Sequence, residues 1–459
     1  MAETNPERRK DLTRGFISEH YKRMAIPLAI GMVFSTLYNV VDTFYAGLIS
    51  TWAQAGLAIS SQVFFLLIAL GIGLSSALSA LVGHALGKED QEDSNLIARQ
   101  GIGFGILLSI AIAIVGYLYS PELIALISEP GEYRDAANSY LRVLLTGTLF
   151  FLLAYAGNGI LQAHGDTESM KRAQIAAFFA NLALNPLFIF GLPGFFPAFG
   201  FDGLALSTLV CQSGVMCYIM IQIIRQKIFD THLFTGLIPR IEVYLGIINQ
   251  ALPTSFSMIL MVIAGFVVQY FLKDFGSQAQ AGYGVALRIE QILLLPVFGL
   301  TGSLLPIAAQ NIGAKKFERV REAAYFCFKF GFIMTLISGA LLWVLGEYLM
   351  LIFTRDPVVI DVGVSYLRIE GLILWVYMLL FAFNSLFQAF KRPVLSLIVG
   401  IYRQGIGIAL FVWLYVVIAD FGIWGVWFGI ATSVTSGLLL SGALLTRLAR
   451  KEMTQPRNK

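Results

Sequence analysis

Of the 459 residues, 57% are hydrophobic and only 13% are charged, and the mean hydropathy is +0.75, whereas a soluble domain carries roughly 25% charged residues. That balance excludes a soluble enzyme or binding module and leaves an integral membrane protein. The net charge of +4 calls for no nucleic-acid partner, and Cys211, Cys217 and Cys327 sit in apolar runs without disulfide or metal spacing, as small core residues do.

A membrane span needs roughly 20 apolar residues, and twelve such runs follow one another. They cover residues 24–49, 57–86, 96–119, 140–162, 173–191 and 203–224, then 244–272, 281–312, 323–345, 366–390, 394–419 and 423–445. The first is too long for a signal-peptide core and is read as retained. The chain therefore divides into an N-terminal segment 1–23, an N-lobe 24–225 holding six spans, a linker 226–243, a C-lobe 244–446 holding six more, and a tail 447–459. The 44 glycines and 14 prolines fit this reading, because helices in lipid use small residues for close approach and tolerate kinks.

The two lobes repeat one another at a fixed offset of 226 residues. Ala25-Ile26-Pro27 answers Ala251-Leu252-Pro253, Ala53-Gln54-Ala55-Gly56 answers Ala279-Gln280-Ala281-Gly282, and Tyr140-Leu141-Arg142 answers Tyr366-Leu367-Arg368. Asn158 and Gln162-Ala163 likewise answer Asn384 and Gln388-Ala389. An even number of spans per repeat makes the halves enter the membrane from the same side. The expected fold is all-α, with two pseudo-symmetric six-helix bundles in a parallel repeat, a plan of transporters rather than receptors.

Charge sets the orientation. The two termini and the loops after spans 2, 4, 6, 8 and 10 carry 24 of the 32 Lys and Arg residues, while the opposite loops hold only Arg134, Lys273 and Arg355. The positive-inside rule places both termini in the cytoplasm of a plasma (cell inner) membrane protein.

Chemistry enters with the polar residues that lipid should exclude. Asp42 lies about seven residues, or roughly 10 Å, from the outer end of span 1. A carboxylate there costs on the order of 2.5–3.5 kcal/mol, so it needs partners or a cavity. Depth suggests the partners: Asn181 and Asn185 share one face of span 5 at i, i+4, Thr208 re-enters at matching depth in span 6, and Tyr38 is one turn below Asp42. A single hydrogen bond would suffice for a helix-gluing Asp; a proton or ion site uses several. The repeat places Val268 opposite Asp42, so this carboxylate belongs to one half alone. In the C-lobe, Glu290 and Arg288 are two residues apart, do not face one another, and suit a structural role. Glu370 and Arg368 fall near the outer interface, and Arg403 in span 11 has no partner that the sequence names. Pro27 has two readings, a kink that frees a backbone carbonyl or a proline that opens the helix; its repetition as Pro253 favours shared architecture.

These features together resemble the multidrug and toxic compound extrusion (MATE) family, and bacterial members of its DinF-like branch in particular. The resemblance rests on the twelve spans in two halves, the run from Pro27 through Tyr38-Asn-Val-Val-Asp42, the loop ends Gly87-Lys88 and Gly313-Ala314, Gly165-Asp166-Thr167 after Gln162-Ala163, and Asn181-x-x-x-Asn185-Pro186. It implies a multidrug efflux antiporter linked to antibiotic resistance and working by alternating access. Asp42 is then the proton carrier with Tyr38, Asn181, Asn185 and Thr208 around it, Asn158 and Ser35 line the substrate cavity, and Pro27 is a hinge. The branch often has a second Asp where this chain has Asn185. The NorM-like branch uses carboxylates in helices 7 and 10; helix 7 here has none, which disfavours sodium.

The expected substrates are cationic or amphipathic organic compounds, exchanged for protons by a monomer among membrane lipids, with no cofactor and no metal. Exchange of one proton for one monovalent cation moves no net charge; any other ratio brings in about 2.3 kcal/mol per charge per 100 mV. A lipid-linked oligosaccharide flippase of the same superfamily would need a cavity rich in Arg and Lys. A major-facilitator antiporter would carry a basic signature where Gly87-Lys88-Glu-Asp-Gln-Glu-Asp93 is acidic. A membrane enzyme would need a nucleophile or metal set, and His20, His84, His164 and His232 show no such spacing.

Overall fold

The computed structural model describes residues 11–228 and 238–454. Arg8, Arg9 and Lys10, the linker residues 229–237, and Arg457 and Lys459 of the tail lie outside the described residues. The helices run α1 (Ile17–Ile49), α2 (Thr51–Gly87), α3 (Gln91–Ile127), α4 (Glu132–Thr146), α5 (Thr148–Ala163), α6 (Glu168–Phe190) and α7 (Gly200–Arg225) in the first half. The second half has α8 (Ile241–Leu272), α9 (Ser277–Gly313), α10 (Phe317–Leu351), α11 (Pro357–Ala389), α12 (Pro393–Gly400), α13 (Ile408–Trp413) and α14 (Ile423–Thr454). Eleven segments are long and apolar enough to cross a membrane, and twelve when α4 and α5 count as one bent span, so each half has six.

Most helices outrun their apolar stretches. α3 has 37 residues, about 55 Å at 1.5 Å per residue, against the roughly 30 Å of a hydrocarbon core. Polar first turns continue the helix beyond the apolar run, as with Gln91-Glu92-Asp93, where the Asp90 side chain caps the Asp93 N–H at 2.9 Å.

One apolar run conceals a break. α4 and α5 meet at an angle of 55° at Gly147, inside residues 140–162. A Cβ at Gly147 would lie 2.1 Å from a Leu209 methyl, so only glycine lets α7 approach there. The backbone closes with short-range bonds, Gly147 N–H to Leu144 O and Phe150 N–H to Gly147 O, while the Thr146 and Thr148 hydroxyls donate to Val143 O and Leu145 O at 2.7 Å. The repeat position is Ile373, and α11 passes through it unbroken.

The repeat extends to the backbone of the loops. Glu89 and Lys315 both take φ near +60°, and each helix before them closes in the same way, with Asp90 N–H on Ala85 O and Lys316 N–H on Asn311 O. Gly165 and Lys391 repeat this at the ends of α5 and α11, through Asp166 N–H on Leu161 O and Arg392 N–H on Phe387 O.

The chain forms two compact units. Unit 1 comprises residues 1–12 and 30–255, and unit 2 comprises 13–29 and 256–459. The first turns of α1 thus belong to unit 2 and those of α8 to unit 1, the two division points again being 226 residues apart. Within unit 2, Gly299 of α9 packs so closely on α1 that an added Cβ would meet Ala25 O at 2.6 Å and the Ala29 Cβ at 2.9 Å. Within unit 1, Gly73 of α2 repeats the contact on α8, at 2.6 Å from Ala251 O and 2.1 Å from Ser255 Oγ. Each contact brackets a proline, Pro27 in one case and Pro253 in the other.

Candidate functional site

Three stripes of residues build the site in unit 1. On α6, the positions Ser169, Ala173, Ala177, Asn181, Asn185 and Ile189 recur every four residues and are all buried. Small residues at the first three let the helix approach its neighbours, and the same face then delivers two amides. On α7, Leu204, Thr208, Cys211, Val215 and Ile219 form the facing stripe. On α1, Tyr38, Asp42 and Ala46 are buried one turn apart.

Where the stripes meet, both oxygens of Asp42 are engaged. The Asn181 and Asn185 Nδ2 atoms each donate to Oδ1 at 2.9 Å, and the Thr208 hydroxyl donates to Oδ2 at 3.3 Å. The two amides also bond one another, Asn181 Nδ2 to Asn185 Oδ1 at 3.3 Å and Asn185 Nδ2 to Asn181 Oδ1 at 3.2 Å. Asp42 is 5% exposed and both asparagines are wholly buried. Hydrogen bonds between membrane helices contribute roughly 0.6–2 kcal/mol each. Three of them offset the roughly 2.5–3.5 kcal/mol that a carboxylate costs at depth.

Pro186, next to Asn185, lacks the N–H that would bond Leu182 O. The Tyr45 hydroxyl of α1 supplies the replacement at 3.3 Å. α1 and α6 are therefore joined twice within a few residues, at Asp42 and at Tyr45.

Other sequence candidates fall differently. Tyr38 is buried beside the cluster, but its hydroxyl makes no hydrogen bond among the described residues, because Asn181, Asn185 and Thr208 already occupy the carboxylate. Asn158 lies outside the cluster: its Nδ2 reaches Ser75 Oγ at 3.5 Å and its Oδ1 is buried without a partner. Ser35 is half-buried, and its carbonyl accepts from Asn39 Nδ2 at 3.0 Å. Pro27 is well inside α1, which begins at Ile17, so it does not open the helix. Tyr140, singled out only as a repeat residue, proves to lie buried beside Thr208 and Asp42. The repeat itself was the signal, since the matching Tyr366 stands beside a carboxylate in the other half.

Unit 2 has its own buried charges. Tyr366 donates to Glu290 Oε2 at 2.6 Å, under the rings of Tyr283 and Trp427. Glu370 is 1% exposed, and its Oε2 has no hydrogen-bond partner. The sequence placed Glu370 near the outer interface because the apolar run begins at Tyr366; α11 actually begins at Pro357, which moves Glu370 about 20 Å along the helix. Arg288 and Arg368 are exposed, the latter over the Trp343 ring at 5.8 Å. Arg403, partnerless in sequence, lies over the Tyr377 ring at 5.8 Å.

Twelve spans in two repeated halves, with a hydrogen-bonded carboxylate held inside one of them, define a duplicated membrane transporter. The MatE family model matches the chain twice, over residues 27–187 and 253–413, again 226 residues apart. The chain belongs to the MatE family. Over 90% of both chains it is 26% identical to the probable multidrug resistance protein YoeA of Bacillus subtilis. It is 24% identical to the FAD transporter of Shewanella oneidensis, over 83% of this chain and 84% of that one. It is 22% identical to the multidrug export protein MepA of Staphylococcus aureus, over 94% and 93%. Among solved structures, an outward-facing multidrug resistance MATE transporter superposes with a TM-score of 0.90, covering 97% of this chain and 98% of the other at 24% identity. A MATE protein solved in a bent conformation gives 0.89, over 97% and 99%, and in a straight conformation 0.87, over 95% and 98%, both at 25% identity.

Proposed function

We propose that this chain is a proton-coupled multidrug exporter of the bacterial inner membrane, close in mechanism to the DinF-like branch, with Asp42 as the proton carrier. The observation that carries this reading is the donor set on Asp42. All three neighbours give hydrogens to the carboxylate, and the two amide oxygens are turned toward each other rather than toward a common point. A sodium ion needs several oxygens converging on it, whereas a proton needs one oxygen and a network able to rearrange around it.

Protonation removes the charge that Asn181, Asn185 and Thr208 stabilise, so these bonds weaken and the α1–α6 junction loosens. α1 carries that junction at one end and the Pro27 turn, with its missing backbone bond, nearer the other. A bend of α1 at Pro27 is then the response to proton uptake, and expulsion of a cationic or amphipathic substrate follows from it. The bent and straight forms solved for a MATE protein support a family backbone able to adopt both.

The test is transport in proteoliposomes. An imposed pH gradient in sodium-free medium drives rhodamine 6G movement if the reading is right; movement driven by a sodium gradient and indifferent to pH would replace it with sodium coupling.

A further inference from the structure

Arg403 is the one membrane-embedded cation that the proposed mechanism leaves unused. It lies on the π-helical stretch Ile401–Gly407, between α12 and α13. A π-turn inside a membrane helix frees backbone carbonyls, and here the Ser433 hydroxyl takes up Arg403 O at 2.6 Å. Gly437 makes room for the side chain, since a Cβ there would stand 3.0–3.2 Å from the Arg403 stem. The backbone and both neighbours on α14 are thus fitted to hold this arginine.

Its guanidinium nevertheless makes no hydrogen bond or ion pair among the described residues; the contact recorded for it is the Tyr377 ring. Glu370 is within electrostatic reach but forms no ion pair with it. The side chain lines a half-open cavity of about 70 Å³ in unit 2. Met261 and Phe381 provide an apolar wall, and Asn384, Ser396 and Gln404 provide polar groups. The Ser396 hydroxyl, 93% buried, and the Asn384 Oδ1 both lack partners. An Asn amide can be turned either way, so it can present its N–H2 as well as its oxygen.

We propose that this cavity is an anion-accepting subsite, and that the substrates include amphiphiles carrying one carboxylate or phosphate group beside an aromatic body. A guanidinium offers five donors in a planar fork that matches either group bidentately. An unpaired guanidinium beside unpaired hydroxyl and amide groups is costly in a membrane-embedded site, and an anionic head group satisfies all of them together. The volume admits such a head group and not a whole drug, so the aromatic body extends through the open side. The inference rests on the export reading for the claim that the bound amphiphile is cargo, but not for the claim that it binds.

Equilibrium binding to the purified protein, read by fluorescence anisotropy, tests it with two matched pairs. Rhodamine 6G is the ester of a free carboxylic acid, rhodamine 19, and FMN is riboflavin with one phosphate. The wild-type protein is expected to bind the acid and FMN at least tenfold more tightly than the ester and riboflavin. Arg403→Gln is expected to abolish both preferences while leaving rhodamine 6G binding unchanged, and Arg403→Lys to keep part of them. Equal wild-type affinities within each pair would overturn the subsite without any variant, as would full preferences in Arg403→Gln. Preference for the anions with no rhodamine 6G efflux would leave the subsite standing and remove the multidrug reading instead.

Discussion

The buried carboxylates of the two units stand on one repeated scaffold and are treated in opposite ways. Asp42 in unit 1 has both oxygens hydrogen-bonded by three neutral groups from two helices. In unit 2, Glu290 takes one tyrosine hydroxyl, and Glu370 has an oxygen with no partner at all. Both sites keep the repeat tyrosine, Tyr140 in one and Tyr366 in the other, yet the carboxylates come from α1 in the first case and from α9 and α11 in the second. Duplication has therefore preserved the frame, the loop closures and the glycine contacts, while the charge chemistry was placed afresh in each half. A network of several equivalent neutral donors can lose and regain a proton with small rearrangement, which is what coupling requires. An acid with one tight tyrosine bond is held in place instead.

The largest effect should come from the acid itself. Asp42→Asn keeps the shape and much of the hydrogen bonding but cannot titrate, so proton-driven efflux should fall at least about 100-fold, near 2.7 kcal/mol, with expression and thermal stability near those of the wild type. Efflux at the wild-type rate would break the contrast between the units.

Next comes the helix that carries it. Pro27→Ala restores the backbone bond to Arg23 O and should lower turnover about tenfold, roughly 1.4 kcal/mol, with substrate affinity nearly unchanged. Binding and efflux measured side by side decide this, since unchanged efflux would end the hinge.

A smaller effect is expected around the carboxylate. Asn181→Ala and Thr208→Ala each remove one hydrogen bond to it, a change of about 0.6–2 kcal/mol. Efflux should drop a few-fold, and the pH profile of transport should move, because these bonds favour the charged form. A profile that stays in place in both variants would make the residues packing and not coupling.

The smallest effect belongs to unit 2. Glu290→Gln retains an acceptor for Tyr366 and should leave the rate within about twofold, below 0.5 kcal/mol. A loss comparable to that of Asp42→Asn would erase the distinction between the two sites.

Much of this was legible in the sequence because membrane helices are nearly linear rulers. Counting residues from the span ends put Asp42, Asn185 and Thr208 at one depth, and i, i+4 spacing put Asn181 beside Asn185. The constant 226-residue offset exposed the two halves. What escaped depends on packing in three dimensions. The bend at Gly147 is set by a Leu209 methyl on another helix, and no local pattern marks it. Glu370 was misplaced because hydropathy finds the apolar run and not the start of the helix. The ring beneath Arg403 comes from α11, and the Tyr45 bond to Leu182 O exists only because Pro186 leaves that carbonyl free.

The central claim is that the coupled proton resides in unit 1. Proton release on addition of rhodamine 6G to purified protein, followed with a pH-sensitive dye in weakly buffered, sodium-free micelles, tests it most directly. The account predicts release by the wild type and by a Glu290→Gln/Glu370→Gln double variant, and none by Asp42→Asn. Release that persists in Asp42→Asn and vanishes in the double variant would contradict it.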